Sequence, residues 1–231
     1  MQIIKEQIDE TLEAYPSLTA KEEDGIYIVS GLFVMNAEYN GIPLYDEYEI
    51  EVDVSDHFPG EVPNVKCLGG DIPGSFEHFY DNGALCLGAT CELYDFLAMK
   101  PSLKSFIDEI VMSYFYTVSY YKRYGIVPFG ERSHDIKGIE EAYMERYGVT
   151  DQDVLIELLL YMVGIQRYRG HTLCPCGSGK KIRNCHGSKL LKDILSPLKP
   201  VYQRDAYAIL SYCIETRRKN DGRKCATENR F

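Results

Sequence analysis

Four side chains in the C-terminal third have the types and spacing of a metal site: Cys174, Cys176, Cys185 and His186. One residue separates the first two thiolates, so both can bind the same ion, and the Gly-Ser-Gly segment 177–179 can turn the chain back toward the second pair. Three thiolates and one imidazole make a tetrahedral zinc set that leaves no open position for a substrate. The segment therefore predicts a structural zinc ion. The alternative is a redox Cys-x-Cys pair, which the adjacent Cys185-His186 disfavours.

Cys86 is the second centre of potential chemistry, because a thiolate is a strong nucleophile at neutral pH and its thioester stays reactive toward amines. A buried cysteine acting as a small apolar side chain is the common alternative. The residues around Cys86 carry more information than the cysteine alone. They occur in this order along the chain: Phe58, Pro59, Pro63, Val65, His78, Asn82, Gly83, Cys86, Leu87 and Pro101.

This order resembles that of ubiquitin-conjugating enzymes, in which strands lead to a proline-rich corner, a flap with a histidine, an Asn-Gly-x-x-Cys-Leu segment and a proline-led helix. The resemblance implies an α+β ubiquitin-conjugating fold, with an N-terminal helix, an antiparallel meander sheet, a flap and C-terminal helices, here joined to a small zinc knuckle. It also implies that Cys86 is the nucleophile. His78 and Asn82 are the candidates for stabilising the oxyanion, although Asn82 also fits a simple turn residue and His78 a structural histidine of the flap.

The flap departs from the family pattern at one point. Ubiquitin-conjugating enzymes carry His-Pro-Asn there, whereas this chain has His78-Phe79-Tyr80 and a shorter segment between the histidine and Cys86. Oxyanion stabilisation must then come from backbone N–H groups or from another side chain.

Residues 174–187 resemble the SEC-C motif, a zinc module named from the bacterial secretion ATPase. A conjugating domain with this motif resembles proteins of bacterial CBASS-type antiphage operons. That resemblance implies a thioester at Cys86 with the C-terminus of a partner protein, a cyclic-oligonucleotide synthase, followed by transfer to an acceptor amine. The chain has no nucleotide-binding Gly-rich motif, so the acyl group must arrive already activated.

The sequence is also compatible with two other functions. The first is a catalytically silent adaptor of the same fold, which binds a protein partner through the zinc module. The second, ranked last, is RNA binding by the basic C-terminal part, which lacks an aromatic platform or a known RNA motif. Nucleic acid is therefore not expected as a partner.

Charge is distributed unevenly along the 231 residues, whose formal net charge is −10. Residues 1–165 carry 10 Lys and Arg against 30 Asp and Glu, and residues 166–231 carry 15 against 5. A change of sign of this size indicates a boundary near residue 166. The basic part could dock on its own acidic neighbour, or it could bind nucleic acid or another acidic partner.

Periodicity predicts the elements and the domain plan. Helices are expected over 2–15, from Pro101 or Ser102 onward, and over 136–147 and 151–168. The second of these has an apolar stripe that includes Tyr114. Strands are expected over 26–35, 62–68 and 48–54, where apolar residues alternate with acidic ones. The expected domains are a conjugating-enzyme-like domain (1–149), a helical connector (150–170), the zinc motif (171–190) and a basic helical tail (191–231). No secretory signal or membrane span is expected, so the protein is predicted to be cytoplasmic.

Overall fold

The computed structural model describes residues 2–69, 72–130 and 132–228, with side chains described between residues 4 and 219 of those ranges. The chain forms two compact units. The first contains residues 1–88 and 92–131, and the second contains residues 89–91 and 132–231. This division falls near residue 131, whereas the sequence placed boundaries at residues 149, 170 and 190.

The first unit combines an N-terminal helix, a four-stranded antiparallel meander of order β1-β2-β3-β4, and helices that follow the sheet. This confirms the predicted α+β class. Its elements are α1 (Gln2–Ala14), β1 (Leu18–Glu23), β2 (Ile26–Tyr39), β3 (Ile42–Ser55), β4 (Asn64–Gly69), α2 (Thr90–Met99, whose first two residues are assigned to the second unit), α3 (Leu103–Phe106), a π-helical turn (Ile107–Val111) and α4 (Met112–Tyr124).

Two tight hairpins fix the register of the meander. Asp24-Gly25 and Asn40-Gly41 are two-residue loops, and all four residues have positive φ. Loops of this kind match the right-handed twist of the strands they join, and they favour Asn-Gly or Asp-Gly for that reason. β1 is the one strand that the sequence analysis did not delimit.

The predicted alternation in β3 is confirmed. Tyr48, Ile50, Val52 and Val54 are buried, and the acidic residues between them lie on the opposite face. The ring of Phe115 stacks on Tyr48, with 4.2 Å between ring centroids. This apolar face of β3 packs against helix α4 and forms part of the core of the first unit.

The predicted helix start at Pro101 or Ser102 is also confirmed. The Ser102 hydroxyl accepts a hydrogen bond from the backbone N–H of Ser105 and caps α3, which continues through the π-helical turn into α4. The helix ends at Gly125, whose φ of 69° is the left-handed conformation typical of a helix C-cap.

One helix was not predicted, and one predicted helix ends early. The sequence analysis assigned no element to the residues of α2. The helix predicted over 151–168 ends at Met162, since Gly164 adopts a φ of 80° and the chain turns away although the apolar pattern continues to Ile165.

The second unit is mainly helical. Its helices are α5 (Asp135–Tyr147), α6 (Gln152–Met162), α7 (Gly187–Ile194) and α8 (Lys199–Glu228). Arg146 forms a two-point ion pair with the buried Asp193, at 2.8 and 2.7 Å, and lies 4.6 Å over the ring of Tyr202. These contacts tie α5 to both α7 and α8.

Among the residues that the structure describes, no helix is both long and apolar enough to cross a membrane.

Candidate functional site

Cys86 follows a short extended segment that pairs with the edge strand β4. The backbone N–H of Leu85 donates to the carbonyl of Val65 at 2.8 Å, and the N–H of Cys67 donates to the carbonyl of Gly83 at 2.9 Å. Because side chains alternate along an extended segment, the burial of Leu85 leaves Cys86 on the more accessible side.

The Asn-Gly pair of the sequence motif forms the turn of a small hairpin. The N–H of Gly83 donates to the carbonyl of Tyr80 at 2.9 Å, and the N–H of Tyr80 donates to the carbonyl of Ala84 at 3.0 Å. Gly83 has a φ of 83°, a conformation that favours glycine at this hairpin position. The side-chain oxygen of Asn82 accepts the N–H of Ala84 at 3.1 Å and stabilises the turn.

The backbone carbonyl of His78 links this hairpin to Cys86 and to helix α4. It accepts the N–H of Cys86 at 3.1 Å and the hydroxyl of Tyr114 at 2.8 Å. Tyr114 lies on α4 and is 7% exposed, and its burial raises the pKa of its phenol. The Cys86 thiol is close enough to contribute to that increase in the pKa of Tyr114. Sequence reasoning placed Tyr114 only in the apolar stripe of the helix and gave no signal for this contact.

The described cysteines of the first unit differ in accessibility. Cys86 is partly exposed, whereas Cys67 is buried and donates its thiol to the carbonyl of Gly69 at 3.2 Å. Burial raises the pKa of the Cys67 thiol, so it stays protonated at neutral pH. Cys91 is buried and belongs to the second unit. Of these three thiols, Cys86 is the one that is accessible to solvent.

The structure places His78, Asn82 and Cys86 in one hairpin. The ring of His78 packs on that of Phe76, with 5.7 Å between centroids. The side chain of Asn82 is exposed, and its oxygen is engaged in the turn. Their predicted roles at the oxyanion stay predictions.

The four predicted metal ligands lie together in the second unit. Their ligand atoms are all within 4.8 Å of one another. The sulfurs of Cys176 and Cys185 are 3.5 Å apart, and Nδ1 of His186 lies 3.2 Å from the sulfur of Cys174 and 3.4 Å from that of Cys185. A tetrahedron with zinc–ligand bonds of about 2.0–2.3 Å has edges of about 3.5–3.8 Å. The donor set therefore fits zinc, and these three separations of 3.2–3.5 Å are close to such edges.

Local backbone pairing brings these ligands together. The N–H of Cys174 donates to the carbonyl of Lys180 at 2.9 Å, and the N–H of Ile182 donates to the carbonyl of Thr172 at 2.8 Å. Gly177 and Gly179 have φ values of 73° and 71°, which allow the turn between the paired segments.

The hydroxyl of Ser178 lies beside the ligands, 3.2 Å from the sulfur of Cys176 and 3.6 Å from that of Cys185. Its hydrogen bond lowers the pKa of Cys176 to about 6, whereas burial raises the pKa of Cys174. Bonds of this kind orient thiolate ligands around an ion.

Comparisons with known proteins add no family to this description. No protein-family model matches the chain, and a search of curated proteins found no significant match.

Proposed function

We propose that this chain is a ubiquitin-conjugating-like acyl carrier with Cys86 as its nucleophile. The observation that carries the proposal is the position of Cys86, a partly exposed thiol at the end of a hairpin anchored both to β4 and to Tyr114. The order of elements supports it, because a helix, a four-stranded meander, a flap and then helices follow one another as in that enzyme fold.

The proposed reaction has two acyl transfers. The Cys86 thiolate attacks the activated C-terminal carbonyl carbon of a partner protein, the carbon–sulfur bond forms, and the activating group leaves with the electron pair of its bond. An amine then attacks the thioester carbonyl, an amide forms, and Cys86 leaves as a thiolate while the amine loses a proton. No oxidant or reductant is required.

Backbone donors next to Cys86 can support the oxyanion in place of the missing flap asparagine. The N–H of Cys86 itself is bonded to the His78 carbonyl. Within the described part of the chain, the N–H groups of Leu87 and Gly88 have no hydrogen-bond partner. They follow the nucleophile directly, which is a common position for oxyanion donors. His78 and Asn82 remain side-chain candidates.

The proposed acyl donor is a cyclic-oligonucleotide synthase of a bacterial antiphage system, and the proposed compartment is the cytoplasm. Both rest on the resemblance of the two sequence motifs. The zinc ion, held by Cys174, Cys176, Cys185 and His186, would supply structural stability to the knuckle and no catalytic step.

A second candidate function is a silent adaptor that binds a protein partner through the zinc knuckle. The flap sequence His78-Phe79-Tyr80 favours it, because the side-chain amide that this fold normally places there is missing. The two proposals differ in whether Cys86 forms a covalent bond.

The test is intact-mass analysis of the protein co-expressed with the partner synthase and its activating enzyme. We expect an adduct of the partner's mass that thiol treatment removes. Cys86→Ser should give an adduct that resists thiol, because an oxyester replaces the thioester, and Cys86→Ala should give none.

Cys67→Ala is the matched control, since it removes a buried thiol of the same unit and should keep the adduct. Loss of the adduct in Cys67→Ala but not in Cys86→Ala would refute the assignment. A wild-type protein that binds the synthase stably without any adduct would establish the adaptor instead.

A further inference from the structure

The chain segments on either side of the zinc ligands form a two-stranded ribbon. Residues 170–174 pair with residues 180–183, and the N–H of Arg183 donates to the carbonyl of Gly170 at 3.2 Å. A bridge between Leu173 and Lys181 continues this pairing. We call residues 169–174 and 180–183 the basic ribbon.

Four charged side chains of the basic ribbon face solvent: Arg169, Lys180, Lys181 and Arg183. Within the described ranges, none of them takes part in an ion pair. Acidic residues are also scarce in the sequence around the ribbon. Residues 163–204 contain nine Lys and Arg but a single acid, Asp193, which is buried and already paired with Arg146. A zinc ion with three thiolates would add one negative charge, so the ribbon stays strongly positive.

The composition of the ribbon differs from that of a typical protein–protein contact. The centres of such contacts are enriched in aromatic side chains, Met and Arg, and they are depleted in lysine. Two of the four exposed cations here are lysines, and among the described residues of the ribbon Leu173 is the one large apolar side chain that is exposed. Here the neighbouring ring, Tyr168, is only partly exposed and packs against Tyr161 with 6.1 Å between centroids, and the turn of the ribbon exposes Gly177 and Gly179. Exposed cations beside small residues permit close approach of a phosphate backbone, and nucleic-acid interfaces are more positive and more polar than protein ones.

We propose that the basic ribbon binds the phosphate backbone of a double-stranded nucleic acid without reading its sequence. A duplex is favoured over a single strand because His171 is the one exposed aromatic ring among the described residues of the ribbon, whereas stacking of successive bases uses several rings. The sequence analysis ranked RNA binding last. The folded chain adds the pairing of Gly170 with Arg183, which brings Arg169 beside the cations of the zinc motif.

The test measures binding of the zinc-loaded full chain to a fluorescent duplex by anisotropy, with DNA and RNA duplexes of one random sequence in parallel. Four phosphate contacts predict a slope of about −3.6 for log affinity against log salt, or about a 150-fold loss of affinity between 50 and 200 mM salt. Lys180→Gln with Lys181→Gln should reduce the slope to about −1.8, a loss of about 12-fold over the same range.

Lys5→Gln with Lys21→Gln is the matched control, because it removes two exposed lysines from the first unit and changes net charge equally. Its slope should equal that of the wild type. Zinc content, measured for every variant, shows that the knuckle is intact. Three outcomes would overturn the proposal: no duplex binding at low salt, equal slopes for the two double variants, or equally tight binding of polyglutamate or anionic vesicles.

Discussion

Gly187 is the position where one added methyl group should most directly weaken metal binding. It is buried, directly follows the ligand His186 and begins α7. A Cβ at this position would lie 2.5 Å from the carbonyl oxygen of Ile182 and 2.5 Å from the hydroxyl of Tyr168. Both distances are well inside van der Waals contact, so Gly187→Ala must displace the backbone that positions Cys185.

The expected magnitude follows from the two contacts. The Tyr168 hydroxyl is the end of a side chain and can move, whereas the Ile182 carbonyl belongs to the backbone of the ribbon. Overpacking of this kind costs about 1–3 kcal/mol. If the metal-free knuckle relaxes the strain and the metal-bound one cannot, zinc affinity falls by about 5- to 150-fold.

Competition with a colorimetric chelator measures this loss. Ser188→Ala is the control, because it alters the next residue of α7, which is exposed, and should leave zinc affinity unchanged. Tyr168→Phe in the Gly187→Ala background removes one of the two clashes and should restore part of the affinity. Wild-type affinity in Gly187→Ala would show that the close packing of Gly187 against Ile182 does not constrain the metal site.

Three further perturbations address other parts of the chain. Tyr114→Phe should cost only about 1 kcal/mol in urea unfolding, because the Cys86 N–H still bonds the His78 carbonyl, yet it should speed alkylation of Cys86 by loosening the hairpin. Asp205→Asn should raise the melting temperature at pH 7. Burial raises the pKa of Asp205, so the folded state binds this proton more tightly than the unfolded state. The stabilisation from the protonated carboxyl is complete below the pKa of an unfolded aspartate, about 3.9, and is lost as pH rises through the folded pKa. Asparagine stays neutral at pH 7 and avoids this loss. Cys185→Ser should release zinc and unfold the knuckle, as seen by metal analysis and circular dichroism.

Each of these changes has a matched control. Tyr116→Phe removes another buried hydroxyl bond, to the carbonyl of Ile42 at 2.9 Å, and should not alter Cys86 alkylation. Asp9→Asn changes an exposed carboxylate and should leave the melting temperature as it is. Cys213→Ser alters a buried cysteine outside the ligand set and should keep the metal. Unchanged alkylation in Tyr114→Phe, an unchanged melting temperature in Asp205→Asn, or full zinc retention in Cys185→Ser would contradict the respective argument.

The sequence predicted those helices and strands whose signals lie close together along the chain. The strict alternation around Ile50 marks a strand with one buried face, and Ser102 marks a helix start, because each signal lies within a few neighbouring residues. The metal ligands were predictable for the same reason, since their spacing and the glycine turn are contained in one short segment.

Features that depend on distant residues were not predictable in this way. The hydroxyl of Tyr114 meets the carbonyl of His78 across 36 positions of sequence, and the apolar period of the helix identified Tyr114 only as a core residue. Helix α6 ends where Gly164 adopts a positive φ. The apolar pattern of the sequence continues past this point, so it predicted a longer helix.

The hairpin before Cys86 also limits which insertions and deletions the chain can tolerate. Its turn has a fixed length, and side chains alternate beyond it, with Leu85 buried and Cys86 accessible. One residue added to or removed from the turn would shift the register by one and exchange the two faces. The thiol would then point inward and a leucine outward, with every residue of the motif still present. Loop length is thus as much a requirement of this site as the cysteine itself.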